Sequence, residues 1–342
     1  MTLTRRQHIA LLASAAVPGL QNTAYAGQDN AMIINEIWTD AARQRDVPVK
    51  LRWPDPAQFS GPNPVLLPVV LFSHGLGGTT DGGEVWGRAW AAAGFVVVHL
   101  QHPGSDLAAV RSVTNTFTDK EALRKAASPA QLLARLHDVR FVLSEIGRRK
   151  AAGHVAGNVT SQVRWQDVRA DRIGMSGHSF GAHTTLGIAG QRYLGFDGMQ
   201  EPRLTSFIAF SPSLPVAGDA QDAFVRLTRP LLCITGTRDA DVAGTGATPE
   251  RRMAVYGAMP PGHKAHLVLR DADHMTFGGQ TGRAAEIVPR VQATRDLQGA
   301  HHALVAAITT DWWRATLADD AVARERLVAP AGLGTGDVWQ QG

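Results

Sequence analysis

Apolar residues fall along this chain in two rhythms. Pro68-Val69-Val70-Leu71-Phe72-Ser73, Phe95-Val96-Val97-Val98-His99-Leu100, Ser206-Phe207-Ile208-Ala209-Phe210, Pro230 to Thr235 and His266-Leu267-Val268-Leu269 are unbroken apolar runs of strand length. Such runs are expected of strands buried on both faces. Asp171-Arg172-Ile173-Gly174-Met175 reads as another short buried strand. Val47 to Trp53 instead alternates and is flanked by prolines, which predicts an early edge strand. The second rhythm is helical. Leu132, Leu133, Leu136, Val139, Val142, Leu143 and Ile146 recur at steps of three and four, behind Ser128 as N-cap and Pro129 in the first turn. Gly83 to Ala93, closed by Gly94, Phe180 to Gly190, and residues 299–318, with Trp312 and Trp313 near the end, predict further helices.

Strands that alternate with helices pair in parallel through crossovers. The pattern therefore predicts an α/β fold, a mostly parallel central sheet with helices on both faces. His266 to Leu269 reads as its last strand and Ala321 to Gly342 as a weakly patterned tail. Pro54 to Pro64 reads as a loop and Arg148 to Asp167 as a polar connection. Gln101 to Ser128 is a long polar stretch leaving the C-terminal end of a central strand, where open α/β sheets place their ligands. It reads as a substrate-side flap or as a mobile surface loop. With no internal repeat and no linker, residues 27–342 form a single expected domain with a long loop at about 101–128.

Residues 1–26 are set apart. Thr4-Arg5-Arg6-Gln7 precedes the apolar run Ile9 to Val17, and Ala24-Tyr25-Ala26 offers a cleavage site before Gly27. The arginine pair resembles a twin-arginine export signal, with a plain secretory signal as the alternative. Export to the periplasm or beyond is the expectation. The run is shorter than the ~20 residues that span a bilayer, and no later stretch is apolar enough, so no stable membrane insertion is expected. The chain has 342 residues, of which 44% are hydrophobic, enough for a sizeable core. Its net charge of +4 falls to +2 once Arg5 and Arg6 are removed, and no Lys/Arg run is present. A nucleic-acid partner is therefore not expected. The single cysteine, Cys233, lies in an apolar run and reads as an inert buried thiol.

The chemistry centres on Met175-Ser176-Gly177-His178-Ser179-Phe180-Gly181-Ala182, which carries the G-x-S-x-G pattern between a strand and a helix. A chain that turns that sharply pushes the central side chain outward, and only small neighbours let strand and helix pass so close. Ser179 is thus the candidate nucleophile. A serine hydroxyl needs a base, and on this architecture the order is serine, acid, histidine. The strand Leu231 to Thr235 runs into Gly236-Thr237-Arg238-Asp239-Ala240-Asp241, and the strand Leu267 to Leu269 into Arg270-Asp271-Ala272-Asp273-His274-Met275. His274 is the candidate general base and acid. Asp239 is the candidate carboxylate, with Asp241 as its rival; Asp271 and Asp273 lie too near His274 in sequence to be first choices. The oxyanion donors are expected to be the backbone N–H groups of Phe180, which follows the nucleophile, and Leu76, in the glycine-rich segment His74-Gly75-Leu76-Gly77-Gly78 after an early strand. His178 reads as the variable elbow residue and His183 as packing beneath the site. His263, His266, His301 and His302 lack metal-ligand spacing, so neither metal nor cofactor is expected.

Leu71-Phe72-Ser73-His74-Gly75-Leu76-Gly77 and Gly177-His178-Ser179-Phe180-Gly181 resemble the α/β-hydrolases of the platelet-activating-factor acetylhydrolase and dienelactone-hydrolase-like group, over roughly residues 47–318. The resemblance implies the α/β-hydrolase fold and a Ser-His-Asp carboxylesterase working through an acyl-enzyme, with oxyanion donors at Leu76 and Phe180. Acetylhydrolases carry their acid soon after the strand that follows the elbow. Ser211-Pro212-Ser213 stands there, which leaves the role to Asp239. Dienelactone hydrolases use a cysteine nucleophile where this chain has serine. The expected substrates are short acyl or lipid-like esters. The alternatives are an exported polyester or cutin-type hydrolase, and cofactor-free perhydrolase or haloperoxidase chemistry on the same triad. A non-catalytic binding protein on this fold would need no complete triad.

Overall fold

The computed structural model describes residues 30–55, 66–114, 119–153 and 163–342. The segment 1–26 read as an export signal and most of the loop 54–64 lie outside the described residues. The elements in chain order are β1 (Met32–Asp40), β2 (Arg45–Trp53), β3 (Leu67–Ser73), α1 (Glu84–Ala92), β4 (Val96–Leu100), α2 (Leu107–Val113), α3 (Lys120–Ala126), α4 (Pro129–Ala152), β5 (Val168–His178), α5 (Phe180–Ala189), β6 (Leu204–Phe210), α6 (Ala220–Phe224), β7 (Leu231–Arg238), α7 (Pro249–Ala258), β8 (Lys264–Asp273), α8 (Gln292–Leu317), α9 (Ala321–Val328) and β9 (Val338–Gln341).

The strands form one sheet in the order β1-β2-β4-β3-β5-β6-β7-β8-β9. From β4 to β8 every pairing is parallel; β1, β2 and β9 add antiparallel margins. This is the α/β fold that the strand–helix alternation predicts. The central runs are continuous because both faces are covered. On β3, Val69 and Leu71 join the core under α4 and α5, while Val70 and Phe72 join the core under α1 and α8. Trp86, Trp90, Trp312 and Trp313 fill the second core. Cys233 is buried in the first, and burial pushes its thiol up to about 12.

Four expectations are corrected. Val47 to Trp53 is not an edge, because β1 pairs along its outer side. Pro48 lies beyond the ladder to β4 and opposes only Ile37 of β1, so its missing N–H takes nothing from the inner pairing. His266 to Leu269 is not the last strand: the tail carries α9 and then β9, which lies antiparallel on β8. The stretch 101–128 is not one loop, since Asp106 and Asp119 cap α2 and α3 within it by accepting the Ala109 and Ala122 N–H groups. Finally, α4 does not bury its leucine stripe evenly. It turns Leu133 to solvent and takes Arg135 and Asp138 fully inside.

Candidate active site

Ser179 sits between β5 and α5 with φ +57° and ψ −114°, a conformation strained for a residue with a Cβ. Its N–H donates to the Phe210 carbonyl of the neighbouring strand at 3.0 Å, which helps to hold the strained turn. The flanking glycines are obligatory for space. A Cβ on Gly181 would lie 1.9 Å from the Ser73 carbonyl oxygen, and one on Gly177 would lie 2.3 Å from that of Gly181. Both obstacles are backbone and cannot swing away. Gly181→Ala is therefore expected to lower stability by about 3 kcal/mol or more through overpacking, and to cost activity in whatever protein still folds. An unchanged melting temperature would show that the turn has slack the packing denies.

The Ser179 hydroxyl lies 2.9 Å from His274 Nε2, and His274 Nδ1 lies 2.8 Å from Asp239 Oδ1. Asp239 and His274 are buried. The Asp239 carboxylate also accepts from Thr235 Oγ1 at 2.8 Å and faces Arg252 Nε at 3.0 Å. Burial alone would raise its pKa, but the Arg252 cation and the His274 hydrogen bond outweigh that and hold it well below the usual carboxylate range. The rival acids are placed elsewhere. Asp241 accepts the N–H groups of Ala243 and Gly246 and closes its own loop. Asp271 pairs with Arg238, and Asp273 caps the turn His274–Gly278 and meets Arg290.

That turn is fixed from several sides. Gly83 and Val85 N–H donate to the Gly278 and Gly279 carbonyls, Trp86 Nε1 donates to Phe277 O, and His302 Nε2 to Thr276 O. His178, read as merely variable, belongs to the same scaffold. Its ring packs 4.6 Å from that of His274, and its Nε2 donates to the His274 carbonyl at 2.9 Å. His183, expected to pack beneath the site, is half-buried on α5.

Leu76 lies in the turn after β3 and lines one cavity with Ser179 and His274. Neither the Leu76 nor the Phe180 N–H meets an acceptor among the described residues; for Phe180 this follows from its place in the first helical turn. The cavity is about 430 Å³, within the range of small-molecule pockets. Leu107 and Leu123 from the 101–128 stretch form part of its wall, with Val242, Met275 and Ile287. Among the described residues no group of three or more His, Cys, Asp or Glu side chains is placed to hold a metal, and no helix is long and apolar enough to cross a membrane.

Two buried arginines escaped the sequence reading. Arg252 on α7 donates through Nε to the Asp239 carbonyl at 2.9 Å and through Nη1 to the Ser211 carbonyl, so one side chain ties the ends of β6 and β7 together. Arg135 on α4 lies beneath the His74–Gly78 segment and donates to the His74 carbonyl at 2.7 Å. Beside it runs a second Ser-His-Asp line: Ser73 Oγ is 2.9 Å from His102 Nε2, and His102 Nδ1 is 3.0 Å from Asp138. All three are fully buried, so this line meets no substrate and braces the sheet end instead. The sequence carries no periodic signal for either arginine.

The buried histidines are expected to make the protein acid-sensitive. Burial pushes His99 down to about 3 and His102, His266 and His302 to about 4, and His74 and His178 also fall well below their ordinary value. Each is neutral in the folded state where the unfolded chain, titrating near 6.5, would bind a proton. Stability is therefore present above that pH and is lost as pH falls from about 6.5 towards 4, by up to ~1.4 kcal/mol per pH unit for each such histidine. Melting temperatures measured from pH 7 to 4.5 should fall steeply; a flat profile would mean that these rings protonate without unfolding.

A family model described as platelet-activating factor acetylhydrolase, isoform II, matches residues 31–236, more than half of the chain. The match spans the His74–Gly78 segment and the elbow and ends before Asp239 and His274. No curated protein gives a significant match.

Proposed function

The chain belongs to the platelet-activating factor acetylhydrolase, isoform II, family and is a carboxylic ester hydrolase; from that premise we propose that it cleaves short acyl or lipid-like esters through an acyl-enzyme on Ser179. The observation that carries this reading is the unbroken hydrogen-bonded line from Ser179 Oγ through His274 to Asp239 at 2.9 and 2.8 Å. In the proposed reaction His274 Nε2 takes the serine proton as Oγ attacks the ester carbonyl. Asp239 holds the imidazole tautomer and offsets the charge of the imidazolium. The Leu76 and Phe180 N–H groups receive the developing oxyanion. His274 then returns its proton to the leaving alcohol, and a water molecule repeats the sequence on the acyl-enzyme. An exported site of action is part of the proposal, and the arginine pair and cleavage-site pattern of residues 1–26 support it.

The test is turnover of p-nitrophenyl esters from acetate to octanoate. The reading expects measurable hydrolysis with the highest kcat/KM on the shorter acyl chains. Folded protein that turns over none of them would overturn it. Faster release from a polyester film, or peroxide-dependent halogenation exceeding ester turnover, would replace the substrate class.

A further inference from the structure

Arg135 is fully buried, yet its guanidinium forms no ion pair among the described residues. Asp138, three positions along α4, gives its oxygens to Arg43, Arg45 and His102 instead. A buried cation that turns to neutral acceptors is costly in stability terms. Its acceptors are specific. Nη1 donates to the His74 carbonyl at 2.7 Å, Nε to Ser105 Oγ at 2.8 Å, and Nη2 to the Ser105 carbonyl at 3.3 Å. That Ser105 carbonyl also accepts the Gly77 N–H at 2.9 Å. The segment is thus held immediately before Gly75-Leu76 and immediately after it. The central carbon of the same guanidinium lies over the Phe180 ring, 4.3 Å from its centre. One rigid planar group therefore touches both segments whose N–H groups were assigned to the oxyanion.

We infer that Arg135 is the positioning residue of the oxyanion hole, fixing the Leu76 loop against Phe180 so that both N–H groups converge on one point. The inference rests on the triad and oxyanion reading given above. Oxyanion donors act by being in place before charge develops, and a displacement of about 1 Å can cost on the order of 10²-fold in rate. The fork matters as well as the charge. A lysine would keep the cation but cannot address the His74 carbonyl, both Ser105 acceptors and the Phe180 face together.

The test is Arg135→Lys, with kcat normalised to the fraction of serine that reacts in a fluorophosphonate titration. We expect kcat per titrated site to fall roughly 10²-fold with KM within about threefold. Affinity for a trifluoromethyl ketone, whose hydrate-like adduct on serine carries the oxyanion, should fall in parallel. A merely structural role would lower the titratable fraction and leave kcat per site and ketone affinity unchanged, which would overturn the inference. Ser105→Ala is the companion variant, since it removes one acceptor of the fork and introduces no buried amine. It should lose about three- to tenfold in kcat per site by the same logic. If Arg135→Lys does not fold and Ser105→Ala keeps wild-type kcat and ketone affinity, the inference fails. Absent ester turnover in the unsubstituted enzyme would instead fail the reading beneath it.

Discussion

Ser179→Ala is expected to lower kcat for ester hydrolysis by about 10⁴–10⁶-fold while the protein folds normally. The hydroxyl oxygen removed makes a hydrogen bond to His274 Nε2 at 2.9 Å, and the half-exposed site leaves no large buried cavity behind. The backbone strain at φ +57° is the same for alanine as for serine. Stability should therefore change by less than about 1 kcal/mol. On the proposed mechanism what is lost is the covalent route itself, and only binding and the proposed oxyanion donors remain to act on water. Turnover within tenfold of the parent would mean that another group is the nucleophile.

Asp239→Asn should follow closely, with kcat lowered by on the order of 10⁴-fold. The amide keeps the shape of the carboxylate but removes the charge that, on the proposed mechanism, stabilises an imidazolium at His274. It also leaves Arg252, 3.0 Å away and buried, without its counter-charge. Stability should fall too, because breaking a buried pair strands the remaining ion; about 3 kcal/mol is the expected size. Asp241→Asn is the matched control. Asp241 binds the Ala243 and Gly246 N–H groups of its own loop and does not reach His274. Its kcat should stay within about threefold of the parent. If Asp241→Asn proves the worse lesion, the acid has been misassigned.

These contrasts follow from how the chain encodes its parts. The strands from β3 to β8 are legible because burial on both faces demands unbroken apolar runs, and such runs stand out. The elbow is legible because Gly177 and Gly181 answer a steric demand that no other residue meets. The margins of the sheet are another matter. β1 mixes the inward Trp38 with outward Ile33 and Ile37, so no alternation marks it, and β9 is a four-residue strand whose side chains are mostly exposed. The two helices inside 101–128 are announced only by their caps, Asp106 and Asp119, and not by an apolar stripe.

The supporting residues are hidden for a different reason. On α4, hydropathy would turn Leu133 inward and Arg135 outward, and the fold does the opposite. The hydrogen bonds that compensate the buried guanidinium come from His74 and Ser105, 61 and 30 positions away. Arg252 likewise meets Asp239 and Ser211 only after β6 and β7 are in register. Polar clusters of this kind depend on tertiary geometry, and a one-dimensional pattern of apolar spacing carries no trace of them. Ser179, His274 and Asp239 stand out as candidates because each follows a strand on one rim of a parallel sheet; the residues that hold them in place do not.

The most direct measurement is labelling of the purified protein with a fluorophosphonate, followed by intact mass and peptide mapping. The account predicts one adduct per chain, on Ser179, with ester turnover lost in proportion to labelling and no adduct on Ser179→Ala. An adduct on another residue, or full turnover by the stoichiometrically labelled enzyme, would contradict it.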